Sequence, residues 1–227
     1  MFKIFKNSLI KDLLSYNRDR TIAKKSYKYF KFLFNNIDVN DFAVIGRENY
    51  LNKDYENHTY IDLDYNINFD IVNDDIIKQI KDINCIHLGS GAGKIVFLMS
   101  FLYYFQECVG VENIFELYEL SNRLKDNFLN GKYGEALKDS NISFINDSLL
   151  SADLSNKNLI ILDYNNTNTT FNNMLENKII NEAKQGCKII KILKPFKDNV
   201  GLKLLQVKPL KTADNKVMFV YYYDRRD

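Results

Sequence analysis

The chain of 227 residues has no tryptophan, two prolines, two histidines and three cysteines. Each shortage narrows the field. Cys85, Cys108 and Cys187 form no C-x-x-C pair and have no histidine at ligand spacing, so they read as buried small hydrophobes of a reducing compartment, not as a metal or redox site. No apolar run approaches the roughly 18 consecutive residues of a membrane span. The stretch from Ile95 to Phe105 is too short and reads as a core helix. With so few prolines, no long Gly/Ser tract and no internal repeat, the chain reads as one sizeable domain with an extension.

The charge is unevenly spread. Its formal value of +2 does not by itself imply a nucleic-acid partner, but residues 1–31 hold nine basic residues against two acids, and residues 53–75 hold one lysine against seven acids. Leu9, Ile10, Leu13 and Leu14, then Ile22, Tyr27, Phe30, Leu33 and Phe34, recur at helical spacing to about Asn36. The basic helix so formed either packs on the domain or recruits an acidic partner. Its start lacks a secretory apolar core and cleavage site, which points to a cytoplasmic protein, with an organellar targeting helix as the alternative. The acidic stretch that follows is expected to be an irregular connection over a binding cleft, ending where Asn73 caps a short helix.

What the chain does have is a strand-turn-helix junction, Ile86-His87-Leu88-Gly89-Ser90-Gly91-Ala92-Gly93-Lys94, and a second strand closing on Val109-Gly110-Val111-Glu112. Glycines let the backbone leave the strand sharply and approach a ligand, while the next helix offers unpaired N–H groups to a carboxylate. A Walker loop would need glycine at Leu88 and a hydroxyl at Ile95, and a dinucleotide fingerprint would need glycine at Lys94. Both fail. The closer G-x-G-x-G spacing, with Glu112 set to take two ribose hydroxyls, is the form in which class I methyltransferases hold S-adenosylmethionine.

From residue 83 onward the pattern is β/α. Ile83–Leu88, Cys108–Glu112, Ile142–Ile145, Leu159–Leu162 and Lys188–Leu193 read as apolar strands, with helices over Lys94–Phe105, Phe115–Phe128 and Phe171–Ala183. Leu204–Val207 and Val217–Tyr223 close the chain as an antiparallel pair. The segment Pro195–Leu202 is too short for a helical crossover, so a final helix is expected to be missing or reduced to a turn. The expected fold is α/β: a Rossmann-like class I methyltransferase sheet with helices on both faces, an antiparallel C-terminal strand and an N-terminal helical extension. The extension is placed at residues 1–66 and the methyltransferase domain at residues 67–227.

Two more acids follow strand ends. Asp147 is placed to accept an adenine amino group or, alternatively, to cap a turn. Asp163 ends the fourth strand beside the expected reacting methyl, and Tyr164 and Asn165 extend its loop.

The set Leu88-Gly89-Ser90-Gly91-Ala92-Gly93-Lys94-Ile95-Val96-Phe97, with Gly110-Val111-Glu112 and Leu117-Tyr118, resembles the non-SET lysine methyltransferases of the telomeric-silencing-disruptor type and their microbial relatives. Lys194-Pro195-Phe196, Lys208-Pro209-Leu210-Lys211 and the aromatic last strand agree with it, over roughly residues 68–227. The resemblance implies methyl transfer from S-adenosylmethionine to a lysine amine of a protein substrate. The cofactor set is then His87, Gly89, Ser90, Gly91, Gly93, Glu112 and Asp147, and Phe171 with Phe219 or Tyr221 walls the acceptor channel. The chain also departs from the family. His87 replaces the acid that usually precedes L-G-S-G and reads as a hydrogen-bonded core histidine in preference to a catalytic base. Asp163 replaces an asparagine, and Phe69-Asp70 stands in about the place of the family's Y-G-E loop. A methyltransferase for a small-molecule or nucleic-acid amine, and a silent binding module, are the rival readings; the lack of an N/D-P-P-Y/F loop argues against an adenine-N6 enzyme.

Overall fold

The computed structural model describes residues 21, 23–49, 62–164, 168–197 and 200–226. Seven strands form one sheet: β1 (Ile83–Leu88), β2 (Phe105–Glu112), β3 (Ile142–Asn146), β4 (Leu159–Leu162), β5 (Lys188–Ile192), β6 (Leu202–Lys211) and β7 (Val217–Arg225). Their order is β3-β2-β1-β4-β5-β7-β6. The first five are parallel, and β7 runs antiparallel to both β5 and β6. The strand order reverses between β1 and β4, which in an open sheet of this kind is where ligands bind.

Two apolar layers flank the sheet because alternate strand residues point to opposite faces. On one face Cys85, Cys108 and Ile161 pack against Val96 and Phe97 of α5 (Lys94–Leu102) and Leu117 and Leu124 of α6 (Phe115–Leu129). The helix α1 (23–34) and α2 (Val39–Asn49) join this layer through Phe30, Leu33, Val39 and Ala43. On the other face Ile86, Ile160 and Ile189 pack against Leu175 and Ile179 of α7 (Thr169–Glu182). All three cysteines are free and buried, as the sequence suggests.

The acidic stretch departs from expectation. Tyr65–Val72 is a helix, α3, capped by Asp64, whose side chain accepts the Ile67 N–H; Asn73 ends this helix, and Asp74 caps the short α4 (Asp75–Lys78) in its place. Polar residues with weak helix preference conceal α3. Burial of Ile67, Ile71 and Val72 overrides that preference, and the Tyr222 hydroxyl donates to the Ile71 carbonyl at 3.1 Å. The boundary drawn at residue 66 therefore falls inside α3. The expected basic helix before residue 21 lies outside the described residues. Strand β2 begins at Phe105, earlier than its apolar core, and β6 and β7 both extend beyond their expected ends.

Between β5 and β6 the described residues contain no helix. Val207, Val217 and Phe219 of the β6–β7 pair are each at least two-fifths exposed. No helix among the described residues is long and apolar enough to cross a membrane.

Candidate active site

The turn after β1 is shaped by what its glycines must approach. Gly89 has φ +77°, and a Cβ there would stand 2.4 Å from the Asp163 carbonyl oxygen at the end of β4. Gly93 has φ +83°, and a Cβ there would meet the Phe144 ring at 2.6 Å. Both are positions that a side chain would spoil twice, by backbone strain and by collision. The Gly89 and Ser90 N–H groups donate to the Val111 carbonyl at 3.0 Å, fixing the turn to β2. α5 then begins at Lys94 with no side-chain cap. Its first N–H groups point out of the helix end, a setting suited to an anion.

Glu112 closes β2. Its Oε2 accepts the Gly91 N–H at 2.8 Å and its Oε1 the Ile114 N–H at 2.9 Å. The carboxylate is buried, and burial raises its pKa against the pull of those backbone bonds. The Asn113 backbone also bonds to this carboxylate, whose remaining lone-pair capacity can still accept a hydroxyl donor. Asn146, at the end of β3, donates to the Glu112 carbonyl at 2.9 Å and holds the two strand ends together.

A small cavity of about 20 Å³ lies under the turn, lined by Asp62, Asn68, His87, Gly89, Lys94 and Asp163 among others. His87 is buried, and neither ring nitrogen has a hydrogen-bond partner; the buried Ser90 hydroxyl also lacks one. This corrects the reading of His87 as a hydrogen-bonded core residue. Burial lowers its pKa to about 3, so the ring is neutral. Asp163 is raised to about 7 by burial and by the nearby carboxylates of Glu112 and Asp62. Lys94 answers part of that negative charge, donating to Asp62 at 2.5 Å and to the Leu63 carbonyl at 3.2 Å.

Beyond Asp163, Tyr164 is 7 % exposed, and its ring packs on Phe171 with centroids 5.2 Å apart. Asn165 lies outside the described residues. Asp147 is exposed at the end of β3, where its carboxylate accepts the Ser148 N–H at 2.6 Å. Phe219 is 43 % exposed on β7, and Tyr221 packs partly against the α7-side core; neither lines the cavity beneath the turn.

Thus His87, Gly89, Ser90, Gly91 and Asp163 come together, Glu112 joins them through Gly91, and Phe171 reaches them through Tyr164. Phe219 and Tyr221 do not. The segment over the turn is Asp62–Asn68, not Phe69-Asp70; Asp70 lies exposed on α3, its carbonyl held by Lys208 at 2.6 Å. Sequence reading also missed Asp62, Lys94 and Asn146. Only the Lys94 position, first in a helix after a glycine turn, carried a signal.

The donor set fits a ligand with a carboxylate, vicinal hydroxyls and a positive centre. The uncapped start of α5 suits the first, Glu112 the second, and Asp163 with Asp62 the third. The unpartnered His87 and Ser90 atoms add two polar contacts for such a ligand, and the described residues contain no group of side chains able to hold a metal ion.

Comparison with known proteins points the same way. Residues 41–217 match the family profile of the histone methylation protein DOT1. Among solved structures, an RNA methyltransferase from Salinibacter ruber in complex with S-adenosyl-L-homocysteine is similar with a TM-score of 0.52 at 15 % identity, covering 74 % of this chain and 95 % of its own. The magnesium protoporphyrin IX methyltransferase of Synechocystis PCC 6803, with bound SAM, gives 0.52 at 10 % identity, covering 88 % and 90 %. The putative methyltransferase yhhF of Escherichia coli gives 0.54 at 14 % identity, covering 74 % and 89 %. At such identities the likeness is one of fold. No curated protein sequence matches the chain significantly.

Proposed function

The chain belongs to the DOT1 histone methylation family, and on that footing we propose that it transfers the methyl group of S-adenosylmethionine to the amine of a protein lysine. One observation carries the reading. The left-handed glycine turn brings Glu112, through Gly91, and Asp163, through Gly89, to one place at the strand-order reversal.

When bound, S-adenosylmethionine supplies a methyl group on a positively charged sulfur that keeps the electron pair of the broken bond. The chain does the rest. In this reading the α5 start and Ser90 hold the polar tail, Glu112 holds the ribose hydroxyls, and Asp147 takes the adenine amino group. A lysine amine must be neutral to attack, and the apolar walls made by Tyr164 and Phe171 disfavour its charged form. Asp163 orients the amine and can take its proton, since its pKa of about 7 lies close to a working pH. Little else is needed, because alignment in a dry site supplies much of such an acceleration.

The test is incubation of the protein with methyl-labelled cofactor and a cell lysate, followed by protease or nuclease. Label released by protease supports a protein acceptor. Label released by nuclease would replace it with a nucleic-acid amine, and label in neither polymer with a small molecule or with no transfer.

A further inference from the structure

A second cavity, of about 260 Å³, opens between the first turns of α7 and the connection after β5. It begins where the cofactor turn ends. Tyr164 lines it, and the same residue's Cβ would stand 3.5 Å from a Cβ built on Gly89. The cavity is thus the neighbouring room at the carboxyl ends of β4 and β5; Asp163, between its lining residues Leu162 and Tyr164 in the chain, lines the smaller cavity under the turn.

Its walls are positively charged. Lys191, Lys194 and Lys197 line it, and among the described residues Glu176 is the one carboxylate in the wall. That carboxylate is already used: Oε1 accepts from the Lys191 ammonium, and Oε2 accepts the Lys197 backbone N–H at 2.9 Å. Lys191 is further held by the Pro195 carbonyl at 3.2 Å and lies over the Phe196 ring at 4.6 Å. The charge left over sits on Lys194 and Lys197. Both are exposed, and neither forms an ion pair among the described residues.

The geometry points to this cavity as the docking site for an acidic peptide segment, in which the acceptor lysine is flanked by aspartate or glutamate. The inference rests on the methyl-transfer reading and narrows its substrate. The acceptor's own cation would go to Asp163, and its flanking carboxylates to Lys194 and Lys197. A basic peptide would meet repulsion in the same place. A nucleic-acid strand is favoured less, because among the described residues Tyr164 is the one aromatic residue lining the cavity, and its buried ring already packs against Phe171, leaving little surface for successive bases to stack on.

Two lysine peptides of equal length, one with acidic and one with basic flanks, test this on the full chain. With labelled cofactor, kcat/KM should favour the acidic peptide by about 10-fold or more at low salt, and the preference should shrink as salt rises. The double variant K194E/K197E alters two exposed side chains, so its circular dichroism and cofactor affinity should match the parent while its peptide preference reverses. Binding of a fluorescent acidic peptide gives a readout independent of transfer. If that peptide binds in a Lys194- and Lys197-dependent way but no methyl moves, the docking site stands and the methyl-transfer reading fails. Equal use of both peptides, an unchanged preference in the variant, or cofactor binding with no affinity for the acidic peptide would each overturn the proposal. So would stronger lysine-dependent binding of a single-stranded oligonucleotide than of the acidic peptide.

Discussion

The ammonium of Lys94 stands 2.5 Å from the Asp62 carboxylate, so the first residue of α5 latches the segment before α3 down over the glycine turn. The cavity beneath measures about 20 Å³, far less than a nucleoside needs. Loosening the Lys94–Asp62 pair is therefore expected to ease the passage of a ligand past this segment. Asp62→Asn keeps the shape and weakens the latch, so association and release of S-adenosylmethionine should both accelerate in stopped-flow measurements. Unchanged rates would show that the latch does not control access.

Gly89→Ala combines a strained φ with a collision at the Asp163 carbonyl. A loss of about 1–3 kcal/mol is expected from the strain of a left-handed non-glycine residue, with more from the collision. Chemical denaturation should show the loss of stability, and cofactor binding should fall below detection.

Asp163 ties stability to pH. Its pKa is raised from 3.8 to about 7 in the fold, so the folded protein holds this proton more tightly than the unfolded chain does. The resulting stabilisation is complete below 3.8 and fades as pH climbs through about 7. Asp163→Asn removes that slope, which denaturation midpoints measured across this range will report. Catalysis should run the other way, rising as Asp163 ionises. In the asparagine variant the rate should lose this rise and fall by about 100-fold, the scale of a lost acid-base group.

Glu176 and Lys191 form a buried pair whose side chains are 11 % and 8 % exposed. Removing one partner strands the other, so Glu176→Ala should cost about 3–5 kcal/mol. The double variant Glu176→Leu/Lys191→Met leaves no uncompensated charge and should recover much of the loss in denaturant titrations.

The parts of the fold legible in the sequence are those that a periodic rule governs. Strands such as Leu159–Leu162 are continuous apolar runs, and the glycine spacing at 89, 91 and 93 specifies the turn because only glycine adopts those angles without cost. The short stretch Pro195–Leu202 likewise leaves no room for a crossover helix, and the described residues between β5 and β6 contain none. Helix α3 was hidden because its stability comes from the core that it covers, not from residues such as Asn66, Asn68 and Asp70. Long-range polar pairs were hidden as well. Lys94 and Asp62, or Lys191 and Glu176, meet only after folding, and one lysine among many gives no sign of which acid it will find. The state of His87 is illegible for the same reason: whether a buried ring finds a partner depends on its neighbours in space, and here it finds none.

Equilibrium calorimetric titration of the purified protein with S-adenosylmethionine, beside its Glu112→Ala variant, tests the central claim most directly. Micromolar binding to the parent that is lost in the variant, with ATP and NAD giving no heat in either, is the predicted result. No binding to the parent, or binding that survives the loss of Glu112, would contradict the assignment of the glycine turn as a methyl-donor site.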